Sequence, residues 1–563
     1  MPRVTNALRY TNALRYTNAL RYTNALRYTN ALRYTNRHVR LARTHGLIRE
    51  IPLKSLYARS ASVNVTGIID IGSNSMRLSI IASLQSGAYY VLDEQKASPR
   101  LSQQIKRDGA IAEDAIRDLI EKLQGFIGLC RAHHATRIEA VGTAALRAAK
   151  NRAEIVERIE RETGIHVEVI PGVEEAALGF SAVANTMKLC DALLVDIGGG
   201  STEVTLVRSG AAIASHSFPI GAVTANRDLG QLSREQMMQR IQTLFPQVEL
   251  LTQAKNMELI GIGGTIRTIA RVHQGLSGYP LALTHNYFMQ QTDVEETVAY
   301  LGDIPLARRK KVEGLSKDRA DLIVPGGMIL LSLMRYTASS VLRISGRGLR
   351  DGTFFTRVLG TDNGLLTEGV LETSVHNLLE RCRVPIDHAK TVTHLALAIA
   401  TPLCERGDLD PARLHLLYAA AMLHRVGIHI HYYDFDRHTF YLILNGTLYG
   451  LTHRELLMVA AAASYKGRNR TRKQCAPFRT LLSEDDLTEI TKIGVIVRLA
   501  EALDRRHEKR VSAVRLKTEK KQAVLYVHAD EGDLEYQAAN DLLPLFRKAF
   551  GFPLSISSEK GAP

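Results

Sequence analysis

The chain has 563 residues, 45% hydrophobic and 23% charged, a soluble globular balance that at about 100–200 residues per domain predicts three or four domains. Its formal charge of +15 points to a polyanion, but residues 1–60 contribute +11 of it (eleven Arg, one Lys, one Glu), so the body is only mildly basic: a polyanionic substrate is allowed and a nucleic-acid role is not expected. No run of about 18 uncharged apolar residues is present, which excludes a membrane-spanning helix, and five scattered cysteines without C-x-x-C spacing exclude a disulfide scaffold or zinc ribbon and fit a reducing, cytoplasmic setting.

Residues 5–34 are five identical copies of T-N-A-L-R-Y. Solenoid units run to about 20 residues or more, so this period is too short for one. On a helix, successive Leu8, Leu14 and Leu20 fall on different sides and no apolar stripe forms. The reading is a disordered tail over residues 1–60, set against an Arg-rich organelle leader, which the missing amphipathicity disfavours.

The next informative stretch is Val65–Ser83, V-T-G-I-I-D-I-G-S-N-S-M-R-L-S-I-I-A-S. An apolar strand over Gly67–Ile71 enters a turn of Gly72, Ser73, Asn74 and Ser75, and a second strand leaves over Arg77–Ala82. Gly72 permits close backbone approach; the hydroxyls, amide and backbone N–H groups of the turn are anion donors. Asp70 points into the same turn and could hold a metal or a water. The pattern returns at Ala192–Arg208, A-L-L-V-D-I-G-G-G-S-T-E-V-T-L-V-R, about 125 residues later. Gly198, Gly199 and Gly200 remove every Cβ that would block a phosphate chain, Ser201 and Thr202 add donors, and Asp196 and Glu203 flank the turn. Hard oxygen ligands of this kind suit Mg²⁺. One glycine-rich turn means little; two Asp-Ile-Gly hairpins would grip one phosphate chain from both sides. No G-x-x-x-x-G-K-[ST] is present, so this is not a P-loop.

A third glycine loop, Leu259–Thr265 (L-I-G-I-G-G-T), follows an apolar strand and opens a helix over Ile266–Val272. Gly263, Gly264 and Thr265 there offer a helix N-terminus to an anion, with a strand-to-helix packing turn as the equal alternative. Met328–Val341, short and interrupted by Arg335, predicts a core helix.

Together the three loops resemble the actin-like ATPase superfamily, and more closely the exopolyphosphatase / guanosine pentaphosphate phosphatase family. Val141–Asn151 (V-G-T-A-A-L-R-A-A-K-N), Ile170–Ala176 (I-P-G-V-E-E-A), Pro325–Leu331 and Ser345–Gly352 (S-G-R-G-L-R-D-G) carry the closer match. The resemblance implies an α/β fold: two actin-like (ribonuclease H-like) domains at 61–185 and 186–365, an all-α HD-like domain at 370–510 and a small α+β cap at 511–563. Glu174 and Glu175 read as the first turn of a helix, where acids also serve the helix dipole. The resemblance makes Glu175 the base that activates the attacking water, with Glu174 beside it as the other catalytic candidate. It makes Asp196 and Glu203 carboxylates that organise Mg²⁺ or the water, beside Asp70 of the first turn as the third metal candidate. It gives Asn74, Ser75, Gly199, Gly200 and Ser201 the phosphate oxygens, and has Arg147 and Arg350 clamp the chain with planar forks. Where the family usually carries Arg after E-E-A, this chain has Ala177.

From Val375 to about Ala502, apolar residues recur at helical spacing. Leu423-His424-Arg425-Val426-Gly427 resembles the helical metal-phosphohydrolase domain whose hallmark is adjacent His-Asp; His388 and Asp504 stand where outer ligands of that domain lie. Arg425 replaces the central acid, which implies a catalytically dead bundle that extends a phosphate channel or forms a homodimer interface. The basic run Lys466–Lys473 (K-G-R-N-R-T-R-K) reads as a solvated loop, or as a guide for a polyphosphate tail. Short strands at Ala513–Leu516 and Ala523–Val527 and a helix near Leu542–Phe550 predict the cap.

The leading expectation is an Mg²⁺-dependent hydrolase that releases terminal orthophosphate from inorganic polyphosphate. Its neighbour is the same chemistry on guanosine pentaphosphate. An ATP-binding kinase or ATPase, a non-catalytic sensor of polyphosphate or guanosine polyphosphates, and a nucleic-acid binder acting through the tail are the competing classes.

Overall fold

The computed structural model describes residues 63–106, 108–360, 365–366, 369–530 and 532–558; the T-N-A-L-R-Y repeat lies outside the described residues. The body opens with strands β1 (Asn64–Ile71), β2 (Met76–Ser83) and β3 (Tyr89–Ala97), continues through β4 (Arg137–Gly142) and ends its first sheet with β5 (Glu168–Val169). The order is β3-β2-β1-β4-β5, antiparallel from β3 to β1 and parallel from β1 to β5. Ile68, Ile69 and Ile71 on the central strand are all fully buried, the near-continuous apolar run that a doubly covered strand requires. The helix Glu113–Ala132 packs its Ile116, Leu119, Leu123 and Phe126 stripe into this sheet's core.

The second sheet repeats the plan. Strands β6 (Ala192–Ile197), β7 (Thr202–Arg208), β8 (Ala211–Phe218), β9 (Glu258–Ile262), β10 (Tyr287–Gln290) and β11 (Val341–Ile344) are ordered β10-β11-β9-β6-β7-β8. The segment β8-β7-β6-β9-β11 has the pairing directions of the first sheet, and β10 adds an antiparallel edge. The repeat extends to detail. Asp70 pairs with Arg77 across β1/β2, and Asp196 pairs with Glu203 across β6/β7. The register shifts after Ile80 in one sheet and after Leu206 in the other, three residues past each of those partners.

The predicted core helix is Ile323–Thr337, nearly all buried; its Arg335 reaches solvent and pairs with Glu295 at 3.0 Å. The C-terminal region is helical, with long helices at Ile386–Glu405, His453–Ala463 and Glu484–Ala502. Strands β12 (Val511–Thr518), β13 (Ala523–Ala529) and β14 (Leu554–Ser558) form a three-stranded sheet whose Leu525, Val527 and Leu554 join the same core as the helices. The basic run is not a loop. Arg468–Cys475 is helical, and Arg470 pairs with Asp436 at 2.7 Å while Arg472 pairs with Glu484. These neighbours are distant in sequence, so the run alone looked unpaired. No described helix is long and apolar enough to cross a membrane.

One largely buried histidine, just before β10, ties the end of the helix Gly172–Ala184 to the loop before the helix Leu349–Thr353. His285 Nε2 lies 2.9 Å from Thr186 O, and its Nδ1 accepts from Gly346 N–H at 3.1 Å. Burial holds its pKa down at about 3, against 6.5 for an exposed imidazole. A lowered histidine pKa gives stability that is present above pH 6.5 and lost as pH falls toward 3. Going from pH 7 to pH 5 should therefore cost about 2 kcal/mol from this group. Denaturant midpoints at the two pH values measure it, and His285→Phe should flatten the difference while lowering stability at pH 7.

Candidate active site

Each large sheet ends its first hairpin in a turn closed the same way: Gly72 N–H donates to Ser75 O at 3.2 Å, and Gly198 N–H to Ser201 O at 3.0 Å. The first turn is braced by Ser102 N–H on Ser73 O (3.1 Å), the second by Val223 N–H on Gly199 O (2.8 Å). The two turns face each other at very close range. A Cβ on Gly199 would stand 2.8 Å from Ser73 Cβ and 3.3 Å from Asn74 N, so only glycine lets the hairpins meet. Gly263, at φ +87°, opens the helix Gly263–Leu276, and any Cβ there would collide with Asp196 Oδ1.

Between the turns lies a cleft of about 380 Å³. Asp70, Gly72, Ser73, Asn74, Ser75, Glu175, Asp196, Gly198, Gly199, Ser201, Gly263, Gly264, Thr265 and Arg350 all line it. Five other sequence candidates stand back from it. Gly200 faces the first hairpin, where a Cβ would lie 2.9 Å from Ser73 Oγ. Thr202 Oγ1 donates to Ile220 O at 2.6 Å and holds the strand end. Glu203 is 2% exposed and accepts from Ser217 Oγ at 2.8 Å, one layer behind the cleft. Arg147 donates to Ile170 O at 2.8 Å and to Glu175 Oε2 at 3.1 Å, with Glu203 Oε1 at 3.9 Å. Glu174 turns the other way and accepts from Arg357 at 2.5 Å, with Arg357 also on Glu168. Neighbours on a helix point about 100° apart, so the helix Gly172–Ala184 can offer the cleft only one of its two acids.

Sequence reasoning missed most of the cations. Arg77, Arg267, Arg271, Arg319 and Arg347 line the cleft beside Arg350. Arg350 itself is held by Leu78 O at 2.9 Å, Ser79 Oγ at 2.6 Å and Glu94 at 3.0 Å. Arg77 and Arg267 each sit just past a glycine loop, and that adjacency was the available signal; Arg271 and Arg319 had none.

The charges fall into two interacting groups. Burial, with Glu203, Asp196 and Asp70 nearby, holds the Glu175 carboxyl well above the usual range, against the pull of Arg147. Burial likewise raises Asp70 to about 6 and Asp196 to about 7. On the other side, burial and then Arg77 push Arg267 down to about 9 and Arg319 to about 10. Asp70 feels Arg350 and Arg77, and Asp196 feels Arg267 and Arg319, so the two aspartates stand where the acidic and basic groups meet. Ser73 Oγ, both Asn74 amide atoms and Glu203 Oε2 are buried with no hydrogen-bond partner among the described residues. Polar atoms left this way are costly unless a ligand or water completes them.

The Ppx/GppA phosphatase family model matches residues 80–360, and its domain III model matches residues 370–543. The chain belongs to the Ppx/GppA phosphatase family. It is therefore related to hydrolases of phosphoanhydrides. A curated relative, the guanosine-5'-triphosphate,3'-diphosphate pyrophosphatase of Photobacterium profundum, is 28% identical over 468 residues, which is 81% of this chain and 88% of the relative. A solved Ppx/GppA family member from Aquifex aeolicus is 29% identical, covers 53% of this chain and 99% of its own, and superposes with a TM-score of 0.47. A solved exopolyphosphatase from Cytophaga hutchinsonii is 26% identical, covers 54% of this chain and 100% of its own, with a TM-score of 0.49.

Proposed function

We propose that the chain removes the terminal phosphoryl group from a linear phosphoanhydride, with inorganic polyphosphate as the substrate that the arginine-lined cleft fits best. The observation that carries this reading is Glu175, a largely buried carboxyl on the wall of a cleft that six arginines also line, its base strength raised by burial first and then by neighbouring acids. In this reading Glu175 takes a proton from water as the water oxygen bonds to the terminal phosphorus. The bridging P–O bond breaks and leaves a chain one unit shorter. Arg147 holds the carboxylate in place from Nη1, and the buried Glu203 strengthens it as a base through its charge. The arginines and the turn donors align the chain and offset its charge, which is most of what phosphoryl transfer needs.

The donor set fits Mg²⁺. Asp70 and Asp196 are hard oxygen ligands at the mouth of both turns, and the partnerless Ser73 and Asn74 atoms lie beside them. Among the described residues no three acids or histidines cluster as a complete cage. A cation that binds one or two carboxylates and takes its other ligands from water and phosphate needs none. Bound there, Mg²⁺ would neutralise developing charge on the phosphate oxygens. Adding Mg²⁺ to chelator-treated protein at pH 8 should raise the melting temperature by about 2–4 °C. An Asp70→Asn, Asp196→Asn double variant should not respond.

A second reading, hydrolysis of guanosine pentaphosphate to the tetraphosphate, has its own support. A recess of about 180 Å³ opens beside the cleft, shares Glu94, Arg347 and Asp351 with it, and is walled by Tyr89, Tyr449 and Asn377. Aromatic rings and a carboxamide suit a purine. The curated relative from Photobacterium also bears a name of that substrate class. The helical region, with His424-Arg425 in place of the His-Asp pair, is read as an HD-like bundle without catalysis, and a homodimer and a cytoplasmic setting go with this reading. Phosphate release from long-chain polyphosphate and from guanosine pentaphosphate, with and without Mg²⁺ and on protein lacking residues 1–60, tests the assignment. No release from either substrate would reject it, and the ratio of the two rates chooses between the readings.

A further inference from the structure

The helical region contains a cleft of about 740 Å³ that shares no lining residue with the active site. Arg425, Lys466, Arg498 and Arg505 converge on it from three separate segments, the last two from the end of the helix Glu484–Ala502 and the turn after it, with His507 also on the wall. Of the four, only Arg425 has a carboxylate partner among the described residues, Glu501 at 2.9 Å. Lys466 rests over the Phe435 ring at 4.8 Å, and Arg498 and Arg505 make no ion pair among the described residues. Asp541 is the sole other acid on the wall. This is a concave site with an excess of about two to three positive charges, where low-dielectric walls concentrate the field.

Two further features mark it as more than a solvated basic face. Behind its wall, His388 and His424 are 4% and 3% exposed, and the Nε2 atom of each has no hydrogen-bond partner among the described residues. Asp504 fixes His388 from its Nδ1 side at 2.7 Å, and His507 stacks on the same ring at 3.6 Å, so the imidazoles are locked rather than loosely packed. Tyr432 also lines the cleft; it is 63% exposed, and its one ring contact among the described residues is Tyr433, edge-on.

We propose that this cleft is a second binding site, for a compact anion of two or three linked phosphoryl groups, and that the nucleoside of a nucleotide can lie on Tyr432. The phosphates would sit on Arg498, Arg505 and Lys466, the cations that lack acidic partners. Arg425, already neutralised, would position Glu501 and Phe435. The inference does not depend on which substrate the active site takes.

Titration calorimetry on the full chain tests it, with tripolyphosphate and the non-hydrolysable β,γ-imido analogue of GTP as probes. Two sites per chain are expected for the wild type. Arg498→Ala with Arg505→Ala should remove one site, weakening it at least tenfold, and leave phosphate release at the active site unchanged. Arg498→Lys with Arg505→Lys should keep it, and an unchanged melting curve shows that the fold is intact. If the imido analogue binds more tightly than tripolyphosphate, and Tyr432→Ala erases the difference, the ligand is a nucleotide. Equal affinity assigns the site to inorganic phosphoanhydrides. A wild type with one site, or a double alanine variant that keeps both, would overturn the proposal.

Discussion

Glu175→Gln should lower the rate of phosphate release by about 10²–10⁴-fold, the usual contribution of a general base, while leaving KM nearly unchanged. The carboxamide keeps an oxygen for the Arg147 hydrogen bond but cannot take a proton. Removing a buried negative charge that sits among Glu203, Asp196 and Asp70 should also raise the melting temperature of the substrate-free protein. Glu174→Gln is the matched control. Its ion-pair partner among the described residues is Arg357, a partly exposed pair worth at most about 1 kcal/mol, and the variant should keep activity within a few-fold. Rates measured at saturating substrate separate the two variants. Equal release by wild type and Glu175→Gln would remove Glu175 from the chemistry.

Arg267→Met should separate function from stability. Arg267 lines the cleft and donates to Gly346 O at 2.7 Å, and its guanidinium loses affinity for its proton through burial first and then through repulsion by Arg77 and Arg350. Without it, kcat/KM should fall by about 10²-fold, since a preorganised cation aimed at the transferred charge is lost. Yet the substrate-free protein should be as stable as the wild type or more so, because a desolvated like-charge contact goes with the side chain. Addition of tripolyphosphate should then stabilise the variant much less than the wild type. Thermal melts with and without the anion, run beside the kinetics, check both halves. A variant that loses stability and keeps its rate would show that Arg267 is structural.

The sequence made the hairpins readable because their constraint is local: a strand, an acid, glycines that admit close approach, then hydroxyl donors. That pattern places Asp70 and Asp196 in one cleft before any fold is known. Three things were not readable. Which of Glu174 and Glu175 faces the cleft depends on the rotation of one short helix, fixed by Arg357 and Arg147 far away in the chain. Arg319 and Arg271 reach the site only through the packing of distant segments, and isolated arginines look like surface residues. The run Lys466–Lys473 looked solvated because its partners Asp436 and Glu484 are separate in sequence, and its helix forms once they are adjacent. Local rules state what a turn can bind; they do not state which remote side chains will arrive beside it.

The five strands of the first sheet match five of the second, yet at one matched position, across from each turn's aspartate, one has Arg77 and the other Glu203. A duplicated scaffold with opposite signs at corresponding points is lopsided by construction. Arg77 lines the cleft while Glu203 lies behind it, so the first turn adds a cation at the wall and the second adds an acid beneath it. Under the proposed function, that asymmetry would give a bound phosphate chain a preferred orientation, its terminal unit toward the acids, without any moving part.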